Sequence, residues 1–93
     1  MAVVGNRHEV YFSTHARQRM LLRGAEEEEV IAAIRSSLWQ PAKRGKFKAR
    51  FQFNFNEQSP INQEVYAYKA VAPIFKELSD RILVVTVQVY YFN

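Results

Sequence analysis

In the stretch FSTHARQRMLLRGAEEEEVIAAI, residues 12–34, His15, Arg19 and Arg23 stand at i, i+4 and i+8. On a helix this spacing makes one stripe of an imidazole and two guanidinium groups, with Ala16 and Met20 beside it to pack inward. An imidazole moves protons near neutral pH, and guanidinium groups hold phosphate oxygens. The plainer role for His15 is a structural cap, bonded to nearby backbone at the helix start.

A second set lies further on. KFKARFQFNFN alternates strictly, with Phe47, Ala49, Phe51, Phe53 and Phe55 on one side and Lys48, Arg50, Gln52 and Asn54 on the other. In RILVVTVQVYYF, Val84, Thr86, Gln88 and Tyr90 share one side, and Leu83, Val85, Val87, Val89 and Tyr91 share the other, which is read as the core side. If the two polar sides belong to one open sheet face, cations, amides, a hydroxyl and a phenol converge there. Single-stranded RNA calls for that combination: cations for phosphates, amides for base edges and rings for stacking. A one-sided sheet needs a polar outer face in any case, so a merely solvated surface fits the same pattern. For EVYAYKAVA the pattern leaves two choices, with either Lys69 or the pair Tyr66 and Tyr68 on the open face.

The elements that must position these groups follow from punctuation and period. Ser13 or Thr14 can cap the first helix, and Gly24 can end it in a left-handed conformation. The run Glu26 to Glu29 fits the first turn of a second helix, where its charge complements the dipole, and reads as solvated rather than metal-binding. Val30, Ile31, Ile34 and Leu38 supply the buried stripe, and Pro41 follows the helix end. Three strands come next, with EVYF near the N-terminus as a short edge strand and Pro73 to Asp80 as a wide loop or helical turn. The expected fold is α+β: an N-terminal helical hairpin on one face of a three- to four-stranded antiparallel sheet. Its predicted core joins Phe47, Phe51, Phe53, Val85 and Val87 to Val30 and Ile34.

At 93 residues, with 48% apolar and 14% aromatic residues, the chain is expected to form a single domain over 1–93, with 1–8 as a flexible N-terminus. The absence of cysteine excludes disulfides and thiolate metal sites. With two histidines and the acidic residues largely in one helix turn, no metal or other cofactor is expected. No apolar run suits a signal peptide or a membrane span, so the expected location is cytoplasmic, with no membrane partner. The net charge of +4 is concentrated in the first helix and in Lys43, Arg44, Lys46, Lys48 and Arg50, a distribution that attracts phosphate polyanions.

The helical stretch, the basic phenylalanine-rich strand and the terminal ILVVTVQVYYF together resemble a family of small bacterial proteins grouped as a domain of unknown function. Its signature is a His-Ala pair, then Arg-Met, then Arg-Gly, with a Val-Thr-Val strand near the end; the resemblance spans about residues 9 to 92. Ala25 after Gly24, where the family usually carries an aliphatic residue such as Ile, is a departure. That family is grouped with the RelE, ParE and BrnT toxin-like domains of the barnase, colicin and RelE-like ribonuclease fold.

The resemblance implies two helices followed by an antiparallel sheet, and metal-independent RNA cleavage. By that analogy His15 is the general acid or base, Arg50 and Lys48 clamp phosphate, and Thr86 and Tyr90 are positioning groups; in the cleavage chemistry Arg50 and Arg19 also supply catalytic charge and Tyr90 a second proton donor. Arg19, Arg23, Lys46, Lys48, Lys69, Thr86 and Gln88 would bind substrate. Cleavage through the ribose 2′-hydroxyl needs a base, an acid and cations to hold the charge that builds on phosphorus. The rival reading is a non-catalytic module whose basic face docks on RNA or on an acidic protein, and a third is a toxin-type domain silenced by an antitoxin-type protein partner.

Overall fold

The computed structural model describes residues 9–93; the segment 1–8, and with it His8, lies outside the described residues. Strand β1, Glu9–Phe12, turns Val10 and Phe12 toward the core and leaves Tyr11 exposed. Ser13 then begins helix α1, Thr14–Arg23. Its Oγ accepts from the Ala16 N–H at 3.0 Å and donates to the Val85 carbonyl at 3.2 Å, so one residue both starts the helix and ties it to the end of the chain. Gly24 stops α1 at φ 83°, with its N–H on the Met20 carbonyl. Helix α2, Glu27–Ser36, opens with the Glu26 N–H donating to Glu29 Oε1 at 3.0 Å. It ends too early to bury Leu38, which is 85% exposed instead of completing the apolar stripe.

The remaining strands are β2, Gln40–Pro41; β3, Phe47–Lys48; β4, Phe51–Gln58; β5, Val65–Glu77; and β6, Arg81–Phe92. The fold is α+β, and the sheet has six strands in the order β1-β6-β5-β3-β2, with β4 also paired to β5. It is mixed rather than antiparallel throughout, because β1 runs parallel to β6, with Glu9 opposite Arg81 and Phe12 opposite Val84. On that sheet α1 rests on β6, while α2 rests on β5 and β4. The Arg17–Glu27 ion pair links them at the surface. No helix among the described residues is long and apolar enough to cross a membrane.

The core gathers Ala16 and Met20 from α1, Val30 and Ile34 from α2, and Val71, Phe75, Ile82, Val84 and Val87 from the sheet. Two expectations change here. The segment from Pro73 is strand as far as Glu77, and its Phe75 is fully buried against Trp39 and Phe47. On β6 the register moves from Ile74↔Thr86 to Phe75↔Val84, leaving Val85 as an extra residue. This bulge turns the alternation over: Ile82 and Val84 face inward before it and Val87 after it, while Val85 leaves the core. Phe51 is only half-buried, edge-on to Phe53.

Candidate nucleic-acid interface

The helices cover one face of the sheet and leave the other open. Lys48 lies opposite Ile74 and Thr86 opposite the same Ile74, so the three form a row across β3, β5 and β6. Gln88 pairs with Ala72, and the next rows place Gln52 and Tyr90 either side of Ala70, and Asn54 and Phe92 either side of Tyr68. The outer strands stand about 10 Å apart, two ladder spacings. Ala70 and Ala72 are too small to fill that gap, so side chains close over them and leave both with no exposed surface.

The Arg50 guanidinium lies 4.9 Å from the centroid of the Tyr90 ring, and the Tyr90 hydroxyl donates to Gln88 Oε1 at 2.8 Å. A cation from the break between β3 and β4 and a ring and an amide from β6 thus form one surface. Beyond it the Tyr68 and Phe92 rings pair at 5.6 Å. A second cation-on-ring pair, Arg81 over Tyr11 at 5.0 Å, is a different kind of patch. Asp80 binds Arg81, and the Glu9 carboxylate accepts the Tyr11 hydroxyl and holds its pKa above the ordinary value. There the positive charge is already answered.

Residues 47–54 keep one register against β5, interrupted at Ala49 and Arg50, and the register then shifts between Asn54 and Glu57. The facing residue is Pro73, whose carbonyl accepts from the Ala49 N–H at 3.2 Å but which has no N–H to return. The Arg50 carbonyl turns to the outer edge, where Ser37 Oγ donates to it at 2.9 Å. At this break an open hollow of about 580 Å³ is lined by Ser37, Leu38, Gln40, Lys48, Ala49 and Arg50. A second, of about 720 Å³, shares Gln40 and Lys48 and extends past Gln88 to the basic turn with Lys43, Arg44 and Lys46. Together they make a groove around Lys48 that contains no Asp, Glu or His among its lining residues.

Six of the sequence candidates therefore meet: Arg50, Tyr90, Lys46, Lys48, Thr86 and Gln88. Four do not. Lys69 is 5% exposed and on the helical side, bonded to Glu29 and Gly24 and lying 5.2 Å from the Phe55 ring; this settles the choice on the middle strand against it. Arg23 donates from Nη1 to the Val87 carbonyl at 2.9 Å, an anchor for α1. Arg19 is half-buried on α1. His15 is exposed on α1, the helix whose Ala16 and Met20 pack into the core side of the sheet, away from Arg50 and Tyr90. Nor does it cap the helix, since Ser13 does so.

Sequence reasoning missed the floor of the site and its rim. Ala70 and Ala72 at i and i+2 among bulky strand residues were the available signal for a surface closed over the middle strand. Ser37 and Gln40 gave none, because their place depends on where α2 stops. Compared with known proteins, the chain matches no family model, no curated protein and no solved structure.

Proposed function

We propose that the protein is a binding module for single-stranded RNA, which it holds on the open sheet face. The observation that carries this reading is the Arg50–Tyr90 stack beside Lys48 and Gln88, a cation-and-ring surface with no carboxylate along its groove. Phosphates would lie on Lys48 and Arg50, bases against Tyr90 and the Tyr68–Phe92 pair, and base edges on Gln88 and Asn54. A duplex would present its bases stacked inside, out of reach of the rings on this face.

Binding is favoured over cleavage because the groove lacks a group suited to proton transfer near neutral pH. The histidine that the toxin-like resemblance assigns to catalysis stands on the helical layer. Two helices ahead of the principal strands support a toxin-like grouping, whereas β1 parallel to β6 departs from the simple antiparallel expectation.

The test is fluorescence anisotropy of a labelled single-stranded RNA in chelator, titrated over a range of salt. Affinity should fall with salt by roughly 0.7 log units per log unit for each phosphate neutralised. The Lys48→Glu/Arg50→Glu variant should flatten that dependence. Absence of binding by the wild type at low salt would overturn the proposal. Products ending in 2′,3′-cyclic phosphate would restore the nuclease reading.

A further inference from the structure

The open face has two unlike ends. At one, the Tyr68 and Phe92 rings and Asn54 offer stacking and amide groups. At the other, Lys43, Arg44, Lys46 and Lys48 line a single hollow, four cations drawn from six residues. No carboxylate pairs with any of them among the described residues.

The turn that gathers these cations is closed by two backbone bonds, Ala42 N–H to the Lys46 carbonyl at 2.8 Å and Lys46 N–H to the Lys43 carbonyl at 3.2 Å. It needs two consecutive left-handed residues, Arg44 at φ 60° and Gly45 at φ 74°. Gly45 is there for its backbone alone, since a Cβ would meet nothing within 4 Å. Arginine is disfavoured in this conformation, which asparagine adopts more readily. What arginine adds is a guanidinium at the rim of the hollow.

We propose that this basic hollow binds a terminal phosphate monoester of a nucleic-acid strand, and so seats one end of the RNA. The inference rests on the reading of the open face as an RNA surface and adds a position along it. A phosphodiester brings one negative charge, and its neighbours are a nucleoside away. A monoester brings about 1.5 to 2 charges at pH 7 on three oxygens. Four converging cations exceed what one diester needs and match a monoester with the diester next to it. The rings at the far end then fall where the following bases lie, so the strand runs from the hollow toward Tyr68 and Phe92.

The test compares three short RNAs of one sequence, carrying a 5′-phosphate, a 3′-phosphate or hydroxyls at both ends. Expected is a preference on the order of tenfold for one phosphorylated form, as for charge-assisted hydrogen bonds gained. The preferred form identifies which end is seated. The preference should shrink below about pH 6, where the monoester takes up its second proton. In Lys43→Gln/Arg44→Asn, which keeps a residue suited to the left-handed turn, the preference should vanish while hydroxyl-ended RNA still binds. Equal binding of all three RNAs by the wild type, or a preference that survives in the variant, overturns the terminal site and leaves the RNA surface standing. Failure of all three to bind removes both.

Discussion

The Lys69 ammonium lies 2.8 Å from Glu29 Oε1 and 2.9 Å from the Gly24 carbonyl oxygen, so one side chain from the middle of the sheet holds both ends of the turn between the helices. The Lys69 and Glu29 side chains are 7% and 20% exposed, and Glu29 also accepts the Glu26 N–H. Removing one member of a buried pair strands the other charge. Lys69→Ala should therefore cost about 3 to 5 kcal/mol in urea unfolding, and Lys69→Met/Glu29→Gln should recover part of the loss because no lone charge remains. A stability unchanged in Lys69→Ala would mean that water already serves Glu29.

Gly24 carries a sharper expectation. A Cβ built there would lie 2.6 Å from the Tyr91 hydroxyl oxygen and 2.8 Å from Pro60 Cγ, in a backbone at φ 83°. Left-handed strain alone costs a non-glycine residue about 1 to 2 kcal/mol. Gly24→Ala should exceed that in a thermal or urea melt. Gly24→Asn separates the causes: asparagine tolerates the backbone but meets the same contacts, so a stable Asn variant would assign the requirement to conformation alone.

Tyr91 ties the same turn to β6 by donating to the Arg23 carbonyl at 2.6 Å. Burial first, and then the negative charge of Glu29, raise its pKa above 10.0. The unfolded chain thus ionises this phenol at lower pH than the folded one does. Its contribution is complete below pH 10 and is lost as pH rises through the folded value. Melting temperature should fall on that alkaline limb less steeply in Tyr91→Phe, which at neutral pH should lose about 0.5 to 1.5 kcal/mol with the hydrogen bond. Identical alkaline slopes for the two proteins would discount the tyrosine.

Phe75 and Phe51 separate buried rings from marginal ones. Phe75 is fully buried beside Trp39, whose ring centroid is 4.9 Å away, and Phe75→Ala should cost about 3 to 5 kcal/mol. Phe51 is half-buried at the margin of the helical layer, so Phe51→Ala should cost clearly less. Equal losses would indicate that Phe51 closes over the core in solution.

These contrasts mark how far the sequence was legible. Both helices, with Ser13 and Gly24 at the ends of the first, followed from local chemistry that does not depend on distant neighbours. The open side of β3 and β4 was readable because its period of two runs unbroken from Lys48 to Asn54. β6 was misread before its bulge, since Val84, Val85 and Val87 are all apolar and composition cannot mark the extra residue. Pro73 suggested an interruption that the tertiary structure places in the neighbouring strand instead, where the missing N–H falls opposite Ala49. His15 and Lys69 could be assigned to a face only once the helices had chosen their side of the sheet. Spacing within one element does not carry that information.

Arg50 and Tyr90 give the decisive test of the interface, because both are exposed and neither enters the core. Tyr90→Ala should weaken single-stranded RNA binding by the worth of one stacked base, about 1 to 3 kcal/mol. Tyr90→Phe keeps the ring and loses the bond to Gln88, so it should retain most of that affinity while altering base preference. Arg50→Ala should weaken binding across sequences and lower the salt slope by roughly 0.7, the share of one phosphate on a single strand. Melting temperatures of all three should move little, which keeps a loss of binding from being a loss of fold. His15→Ala is the control on the other layer, with RNA affinity and salt slope expected to match the wild type. If instead His15→Ala abolishes binding or a chelator-resistant cleavage while Arg50→Ala and Tyr90→Ala do neither, the functional surface is the helical one and the sheet face is a solvated exterior.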